Sequence, residues 1–398
     1  MIPRHLETAL KLAARKYPVV AVTGPRQSGK TTLVRAAFAD RPYVSLEDPE
    51  QRDFARRDPK GFLGRFRDRV VLDEVQRVPD LLSYIQGLVD ERKVPGRFLL
   101  TGSQNFLLLE RISQTLAGRC SMLHLLPFSR SELAGEEMMD LSRLGRVPPE
   151  GRRPSVGLFE MLLRGGYPPI HDLELEPSDW LRNYYQAYVE RDVRDLLNVG
   201  DLETFGRFVR LCAGRCGQLL NVSALAADCG VAHTTARRWL STLEASYIVM
   251  LLRPFHRNFR KRLVKSPKLH FLDSGLLCYL LRIRTSDDLR LHAARGAVFE
   301  SWAVSEVVKN FAHRGRDSDV AFWRDSAGHE VDLIVEAQPT PAAVEMKSGE
   351  TFQSDFLDGL KFWRGLTGRP DAPASVVYGG GESYMREGMA VVSWNRWG

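Results

Sequence analysis

The sequence is poor in cysteine and has no long apolar stretch. Its five cysteines are scattered through 398 residues, and Cys212 and Cys216 form a C-x3-C pair without the second pair that a zinc site needs. We therefore expect free thiols in a reducing compartment. No run of about 18 apolar residues occurs, and charges interrupt the N-terminus where a secretion signal is apolar. The sequence predicts no membrane segment and a cytoplasmic location.

Acidic residues are missing from one basic stretch. Residues 253–268 contain seven lysines and arginines and no carboxylate, which equals the formal net charge of +7 of the whole chain. Such an excess allows an acidic partner such as nucleic acid but does not require one. The length of the chain predicts roughly two to three domains.

A glycine-rich motif lies near the N-terminus, between an apolar strand pattern and a helix pattern. Residues 24–31 fit G-x-x-x-x-G-K-[ST], in which main-chain N–H groups hold phosphates, the lysine reaches the β- and γ-phosphates and the last hydroxyl binds Mg²⁺. No N-K-x-D or T-K-x-D string that would select guanine occurs, so ATP with Mg²⁺ is expected. The predicted nucleotide site consists of Gly24, Pro25, Arg26, Gln27, Ser28, Gly29, Lys30, Thr31 and Thr32.

Two later strand patterns end in residues that suit nucleotide hydrolysis. The strand pattern 69–72 leads to Asp73, predicted beside Mg²⁺, and Glu74, predicted to polarise the attacking water. The run 97–100 ends in small polar residues, Thr101, Ser103 and Asn105, of which we favour Ser103 as the residue that senses the γ-phosphate or the attacking water. A solvated acid pair at a strand end, and a helix N-cap at Ser103, are the alternative interpretations.

The middle of the chain has the pattern of a helix, a glycine turn and a second helix. Residues 221–246 carry it, with Ser223 as the expected N-cap and Gly230 at the turn. A strand pattern and the basic stretch follow, so we predict a winged helix that contacts a DNA backbone. A lid or an interdomain packing unit is the alternative. The predicted nucleic-acid contacts are His233, Arg237, Arg238, Arg257, Arg260, Lys261 and Arg262.

The last part of the chain places acids on a helix and on two neighbouring strand patterns. Glu300 lies on the helix, Asp332 on one strand, and Glu345 and Lys347 on the next. Because alternate side chains of a strand share a face, these groups are predicted to meet, with the carboxylates holding Mg²⁺ while Lys347 orients or deprotonates a water. For the E-x-K string alone, a salt-bridged strand pair is the ordinary explanation.

Several of these motifs resemble one family. The glycine-rich motif and the L-D-E and L-L-T-G-S strands, followed by Leu116-Ala-Gly-Arg119 and by Leu126-Pro-Phe-Ser-Arg-Ser-Glu-Leu133, resemble the AAA domain of a widespread prokaryotic ATPase family. Its members carry a C-terminal domain called DUF4143. The resemblance implies that Arg119 lies near the nucleotide and stabilises its charge, with a surface arginine as the alternative. The helix and strand acids resemble the PD-(D/E)xK nuclease core, although Val331 stands where that core has proline.

The expected fold class is α/β, in four segments. These are an AAA-type P-loop ATPase domain at 1–134, a connector with helices at 135–203, a winged-helix domain at 204–285 and a restriction-endonuclease-like α/β domain at 286–398. The expected function is ATP binding and hydrolysis on or at DNA, and the acid set leaves a metal-dependent nuclease open. The alternative is a nucleotide-gated scaffold for DNA or protein with an inactive nuclease fold, and the sequence does not decide whether the chain forms oligomers.

Overall fold

The computed structural model describes residues 2–66, 68–103, 114–151, 155–190, 202–255 and 264–398. Within these ranges the helices are α1 Leu6–Lys16, α2 Lys30–Ala37, α3 Pro49–Arg57, α4 Pro59–Gly64, α5 Leu81–Glu91, α6 Arg130–Ala134, α7 Leu158–Arg164, α8 Pro168–Asp172, α9 Pro177–Tyr184, α10 Leu202–Gly214, α11 Val222–Cys229, α12 His233–Ala245, α13 Ser274–Leu280, α14 Ser286–Leu291, α15 Arg295–His313 and α16 Asp358–Thr367. The strands are β1 Val19–Gly24, β2 Tyr43–Ser45, β3 Val70–Asp73, β4 Phe98–Ser103, β5 Cys120–His124, β6 Val249–Leu252, β7 Lys268–Phe271, β8 Val320–Arg324, β9 Glu330–Val335, β10 Ala342–Lys347, β11 Ala374–Tyr378, β12 Tyr384–Arg386 and β13 Met389–Ser393.

The N-terminal sheet consists of five parallel strands in the order β2-β3-β4-β1-β5. Its strands are short apolar runs, as expected where helices cover both faces. Leu72 and Phe98 belong to the apolar cluster on one face, and Leu33 and Leu99 belong to the cluster on the other. Because parallel strands end at one edge, the glycine loop after β1 and the acids after β3 share that edge.

The middle of the chain contains the predicted helix, glycine turn and second helix. Helix α11 is followed by Gly230 in a left-handed conformation with φ 73°, and then by α12. The N-cap is Asn221, whose side chain accepts a hydrogen bond from the N–H of Ala224 at 3.0 Å, so the prediction of Ser223 was wrong by two positions. Strands β6 and β7 then form an antiparallel pair.

The C-terminal sheet is mixed, with six strands in the order β12-β13-β11-β10-β9-β8. The neighbours β8, β9 and β10 are antiparallel, and β11 and β13 continue parallel to β10. Leu333 and Val344 pack in the cluster that contains α15, whereas Ile334 and Ala343 pack with Trp363 of α16. The sheet therefore has a helix on each face.

The middle of the chain and the C-terminal sheet share one apolar cluster, whereas the N-terminal sheet has apolar clusters of its own. The largest apolar cluster runs from Leu141 to Trp397 and joins the middle helices to α15 and one face of the C-terminal sheet. Polar contacts tie α15 to the N-terminal unit, since Glu306 accepts a hydrogen bond from the N–H of Arg130 at 2.8 Å. In the part of the chain that the structure describes, every helix is too short or too polar to cross a lipid bilayer.

Candidate functional site

The glycine loop needs its glycines. Gly24 has φ 151° and Gly29 has φ 89°, and a Cβ on Gly24 would lie 2.1 Å from the carbonyl oxygen of Leu125. Helix α2 begins directly after the loop, at Lys30, so its free N–H groups and the positive end of its dipole face the loop. This is the arrangement with which helix N-termini bind phosphate.

Lys30 is folded onto the loop. Its side chain is buried, and Nζ donates to the carbonyl oxygens of Gly24 at 3.2 Å and Pro25 at 2.7 Å. Burial lowers the pKa of Lys30 to about 8, against the opposing effect of the nearby carboxylates of Glu74 and Asp73. Phosphate oxygens accept stronger hydrogen bonds from an ammonium group than carbonyl oxygens do, so a bound phosphate would draw Lys30 away from the loop.

Asp73 gathers hydroxyl groups at the end of β3. Its buried carboxylate accepts hydrogen bonds from Thr31 Oγ1 at 3.0 Å, from Tyr43 OH at 2.6 Å and from Thr101 Oγ1. A hydroxyl and a carboxylate in contact are the hard oxygen donors that Mg²⁺ prefers, so Thr31 and Asp73 fit this ion. The sequence analysis missed Tyr43, although its position in a strand of the same sheet was the available signal.

Glu74 follows Asp73 in an unusual backbone conformation. Its φ of 56° is in the left-handed region, which is uncommon for residues other than glycine and is concentrated at functional sites. Glu74 accepts a hydrogen bond from the side chain of Gln76 and is close enough to Lys30 to raise the pKa of that ammonium. The carboxylate therefore lies beside the predicted phosphate position.

Arg4 fixes the back of the glycine loop and was missed by the sequence analysis. Its guanidinium donates to the carbonyl oxygens of Ser28 and Leu126, each at 2.6 Å, and pairs with Glu132 at 3.0 Å. An arginine that bonds three distant segments cannot be recognised from spacing, because none of its partners lies near it in sequence.

Arg119 does not reach this edge of its own sheet. Its carbonyl oxygen accepts from the N–H of Val19, at the start of β1, so it lies about 16 Å along the strand from Gly24. The guanidinium forms a two-point ion pair with Asp90, at 2.6 and 2.8 Å. Arg119 thus lies away from the glycine loop of its own chain, and its contact with a nucleotide stays a prediction.

The other predicted residues of this edge are placed as follows. Ser103 ends β4 with its backbone in register with Gly24, while its side chain and Asn105 lie outside the described residues. Gln27 and Thr32 are exposed, Arg26 and Gly29 are half-buried, and Pro25 and Ser28 are buried.

The predicted nucleic-acid residues divide into two groups. His233, Arg237 and Arg238 are exposed on α12, with Thr234 beside them. These side chains form a basic, solvent-facing surface at the beginning of the helix. The remaining four predicted contacts lie outside the described residues: Arg257, Arg260, Lys261 and Arg262.

The C-terminal acids lie near one another, at the ends of β9 and β10 and on α15. Lys347 Nζ lies 3.1 Å from Glu345 Oε2, and Asp332 accepts a hydrogen bond from the N–H of Met346 at 2.9 Å. Burial and the charge of Asp332 raise the pKa of Glu345 well above its usual value. The same two causes raise the pKa of Glu300 to about 7. Burial and a like charge both disfavour the ionised form of a carboxyl group.

A residue that the sequence analysis counted only as part of the basic stretch lies among these acids. Lys268 Nζ is 2.8 Å from Glu300 Oε1 and 3.7 Å from Asp332 Oδ1, and it also pairs with Glu330. Its side chain is 3% exposed. The acids have the chemistry to hold a divalent ion, but in this arrangement they hold an ammonium group, so the site does not fit a metal as it stands.

A different trio has ligand atoms at metal-binding spacing. Among the described residues, His5, Glu132 and His313 are the group whose ligand atoms all lie within 4.8 Å of one another. Glu132 is already paired with Arg4, whose positive charge opposes a cation there. The set of Glu300, Asp332 and Glu345 is more widely spaced.

The parallel sheet, the glycine loop and the contact between Thr31 and Asp73 define a P-loop ATPase domain. The chain belongs to the family of AAA-type P-loop ATPases that carry a C-terminal DUF4143 domain. Family models match residues 16–134 (AAA domain), 156–287 (domain of unknown function DUF8612) and 295–397 (domain of unknown function DUF4143).

Relatives among known proteins include two mycobacterial proteins whose names call them uncharacterized. These are Mb2031c of Mycobacterium bovis and Rv2008c of Mycobacterium tuberculosis, each 32% identical over 351 residues, which is 87% of this chain and 74% of the relative. Among solved structures, the Walker-type ATPase PABY2304 of Pyrococcus abyssi is 14% identical with a TM-score of 0.40, covering 71% of this chain and 96% of that one. The RuvB Holliday junction branch migration motor of Thermotoga maritima is 19% identical with a TM-score of 0.28, covering 62% and 88%.

Proposed function

We propose that the chain binds and hydrolyses ATP at the edge formed by the glycine loop and β3, and that it acts on or at DNA. The observation that carries the first part is the contact of the Thr31 hydroxyl with the Asp73 carboxylate at 3.0 Å, directly behind a loop that ends in a buried lysine. Together they supply a phosphate cradle, a positive charge and two oxygen donors for Mg²⁺.

Each residue has a separate task in this proposal. The loop and the first turn of α2 bind phosphate oxygens through main-chain N–H groups, and Lys30 turns from the carbonyls of Gly24 and Pro25 to the β- and γ-phosphates. Thr31 and Asp73 would hold Mg²⁺, which would neutralise phosphate charge. Glu74 orients the attacking water and accepts its proton. Tyr43 and Thr101 keep the Asp73 carboxylate in place through their hydrogen bonds.

The test of this site is ATP turnover in Lys30→Ala. We expect turnover to be abolished, because the ammonium that stabilises the transferred phosphoryl group is gone. Asp332→Ala, in the C-terminal acid group, is the matched control and should hydrolyse ATP like the wild type. Turnover that persists in Lys30→Ala would show that the site is assigned to the wrong residues.

The DNA part of the proposal rests on α12 and the strands after it. Three helices followed by the β6–β7 pair fit a winged helix, and His233, Arg237 and Arg238 are exposed on its second helix-turn-helix element. Arg237→Ala and Arg238→Ala should weaken DNA binding in a titration, while Arg57→Ala, an exposed arginine of α3, should not. Equal weakening on all sequences would indicate backbone contacts, and loss at one sequence would indicate base readout.

A nucleotide-gated scaffold is the second candidate, and Lys268 favours it over a nuclease. The order α15-β8-β9-β10 and the acids on it fit a PD-(D/E)xK fold, so the C-terminal domain has the layout of a nuclease while an ammonium lies where the charge of a metal belongs. Incubation with supercoiled DNA and Mg²⁺ or Mn²⁺, with and without ATP, separates the two. Cutting that Lys347→Ala abolishes would establish the nuclease, and intact DNA would support the scaffold.

A further inference from the structure

We propose that Lys268 is the resident cation of the C-terminal acid group and that this ammonium and a divalent metal ion are mutually exclusive occupants of it. The acid group is defined as Glu300, Glu330, Asp332 and Glu345. The inference rests on the nuclease-like interpretation of the C-terminal domain, and it is independent of the ATPase site.

The geometry of Lys268 is that of a bound cation. Its Nζ contacts carboxylate oxygens from helix α15 and from strand β9, at 2.8 Å for Glu300 and 3.7 Å for Asp332, with Glu330 closer still. An ammonium group has three donors, and here three carboxylates surround it. A buried lysine beside a single carboxylate would be an ordinary ion pair. Lys268 instead lies among three carboxylates, whose combined negative charge exceeds its single positive charge.

His270, two residues after Lys268 on β7, lies on the same side of the acid group. His270 is fully buried, its ring nitrogens have no hydrogen-bond partner among the described residues, and its Nε2 lies 3.8 Å from Glu300 Oε1. Residues two apart on a strand share a face, so Lys268 and His270 enter the group together. A metal ion at Glu300 and Asp332 would need the same space and would repel the ammonium, so the Lys268 side chain must leave before the ion binds.

The strand that carries Lys268 links the acid group to the middle of the chain. Strand β7 pairs with β6 along its length, from Leu252 opposite Lys268 to Val249 opposite Phe271. Strand β6 follows α12, which exposes Arg237 and Arg238. A partner that binds α12 and displaces this hairpin would therefore withdraw the ammonium and open the acid group.

Binding of Mn²⁺ to purified protein, followed by calorimetry, is the test. Lys268→Met removes the charge with little change in volume, and we expect it to bind Mn²⁺ at least about tenfold more tightly than the wild type, since a like charge a few ångströms away is gone. Lys347→Met is the matched control: its ammonium is half-exposed and touches Glu345 alone among the acids, so we expect a smaller gain. Adding Glu300→Gln to Lys268→Met should cancel the gain.

A second measurement uses the wild-type protein, in case Lys268→Met does not fold. Amine labelling read by mass spectrometry should modify Lys268 much more slowly than Lys347, and high Mn²⁺ should speed the labelling of Lys268. The proposal is overturned if the wild type binds Mn²⁺ as tightly as Lys268→Met, or if Mn²⁺ leaves the labelling rate of Lys268 unchanged. ATP turnover of the same preparations is measured separately, so a failed ATPase assignment is distinguishable from a failed cation assignment.

Discussion

Three basic residues of this chain have very different surroundings. Lys30 is buried against main-chain carbonyls, which it can exchange for phosphate. Arg119 lies at the surface in a pair with Asp90. Lys268 is enclosed by carboxylates that it cannot leave without exposing them to one another. The surroundings of Lys30 therefore suit ligand binding, those of Arg119 form a surface ion pair, and those of Lys268 let it hold carboxylates together.

At Glu74, replacement by glutamine should separate ATP binding from hydrolysis. The amide keeps the shape of the side chain but accepts no proton, so we expect kcat to fall by about 10²- to 10⁴-fold while ATP still binds. Steady-state turnover and a fluorescent-nucleotide titration measure the two quantities. Glu47→Gln, an exposed acid near the same edge, is the control; equal turnover in both variants would contradict the role of Glu74.

At Arg119, replacement by alanine should leave the ATP affinity of the chain unchanged within about twofold, as for most surface substitutions. The reason is that Arg119 lies beside Val19, at the end of the sheet opposite the glycine loop. A nucleotide titration against Lys30→Ala checks this. If the affinity falls as far as in Lys30→Ala, Arg119 must contact the nucleotide in solution, which would contradict its position in this structure. If only turnover falls, and only at high protein concentration, the arginine acts on the site of a neighbouring copy.

At the scale of elements, three segments that are distant in sequence are linked through one buried aspartate, Asp273. Asp273 accepts hydrogen bonds from the N–H of Leu276 at 2.8 Å, which caps α13, and from the N–H of Gly166 at 2.7 Å. The carbonyl of Gly166 in turn accepts from the N–H of Phe128 at 2.7 Å. The segments before α6, after α7 and before α13 are thereby joined through main-chain contacts.

Asp273→Ala should therefore cost much more stability than an ordinary helix cap. Two buried N–H groups lose their acceptor, and we expect the free energy of unfolding to fall by about 2 to 4 kcal/mol. Asp58→Ala is matched to it, since Asp58 caps α4 by accepting from the N–H of Gly61 at 2.8 Å but is exposed, and about 1 kcal/mol is expected there. Urea denaturation measures both, and equal losses would show that the junction adds nothing.

The elements and their chemistry were predictable to different degrees. The glycine loop, β3 with its acids, the α11–α12 pair and the α15–β9–β10 acids follow from local spacing, and local spacing is what a sequence records. Arg4, Tyr43 and the burial of Lys268 depend on contacts between segments far apart in the chain, for which no periodic signal exists. The position of Arg119 at the opposite end of the sheet could not be predicted, because a motif gives the identity of a residue but not the end of the strand at which it lies.

For the whole molecule, the contact between α15 and the N-terminal unit contains a buried histidine that responds to pH. His313 is 1% exposed, its ring nitrogens make no hydrogen bond within the part of the chain that the structure describes, and Glu132, Arg4, Lys309 and His5 surround it. Burial lowers its pKa to about 4. Below its ordinary pKa of 6.5 the unfolded chain takes up a proton that the folded chain refuses, so stability present at neutral pH is lost as the pH falls from 6.5 towards 4.

His313→Leu should remove this part of the pH dependence. Leucine loses no hydrogen bond at this position, and it takes up no proton. Between pH 7.5 and pH 5, we expect the wild type to lose about 2 kcal/mol more than the variant, as the linkage of a single buried group predicts. Urea denaturation at the two pH values provides the comparison, with the exposed His233→Leu as control. Parallel losses in wild type and His313→Leu would rule out the imidazole as the cause.

The hydrogen bond from Arg130 to Glu306 joins residues 176 positions apart in the chain. During synthesis the ribosome completes the strands of the ATPase sheet long before it makes α15, and at typical elongation rates the interval is on the order of 10 to 30 s. For that time α6 and the loop before it lack the helix on which they rest. The nascent ATPase domain is thus exposed to chaperones and proteases before α15 is synthesised. A truncation that removes α15 would make that exposure permanent.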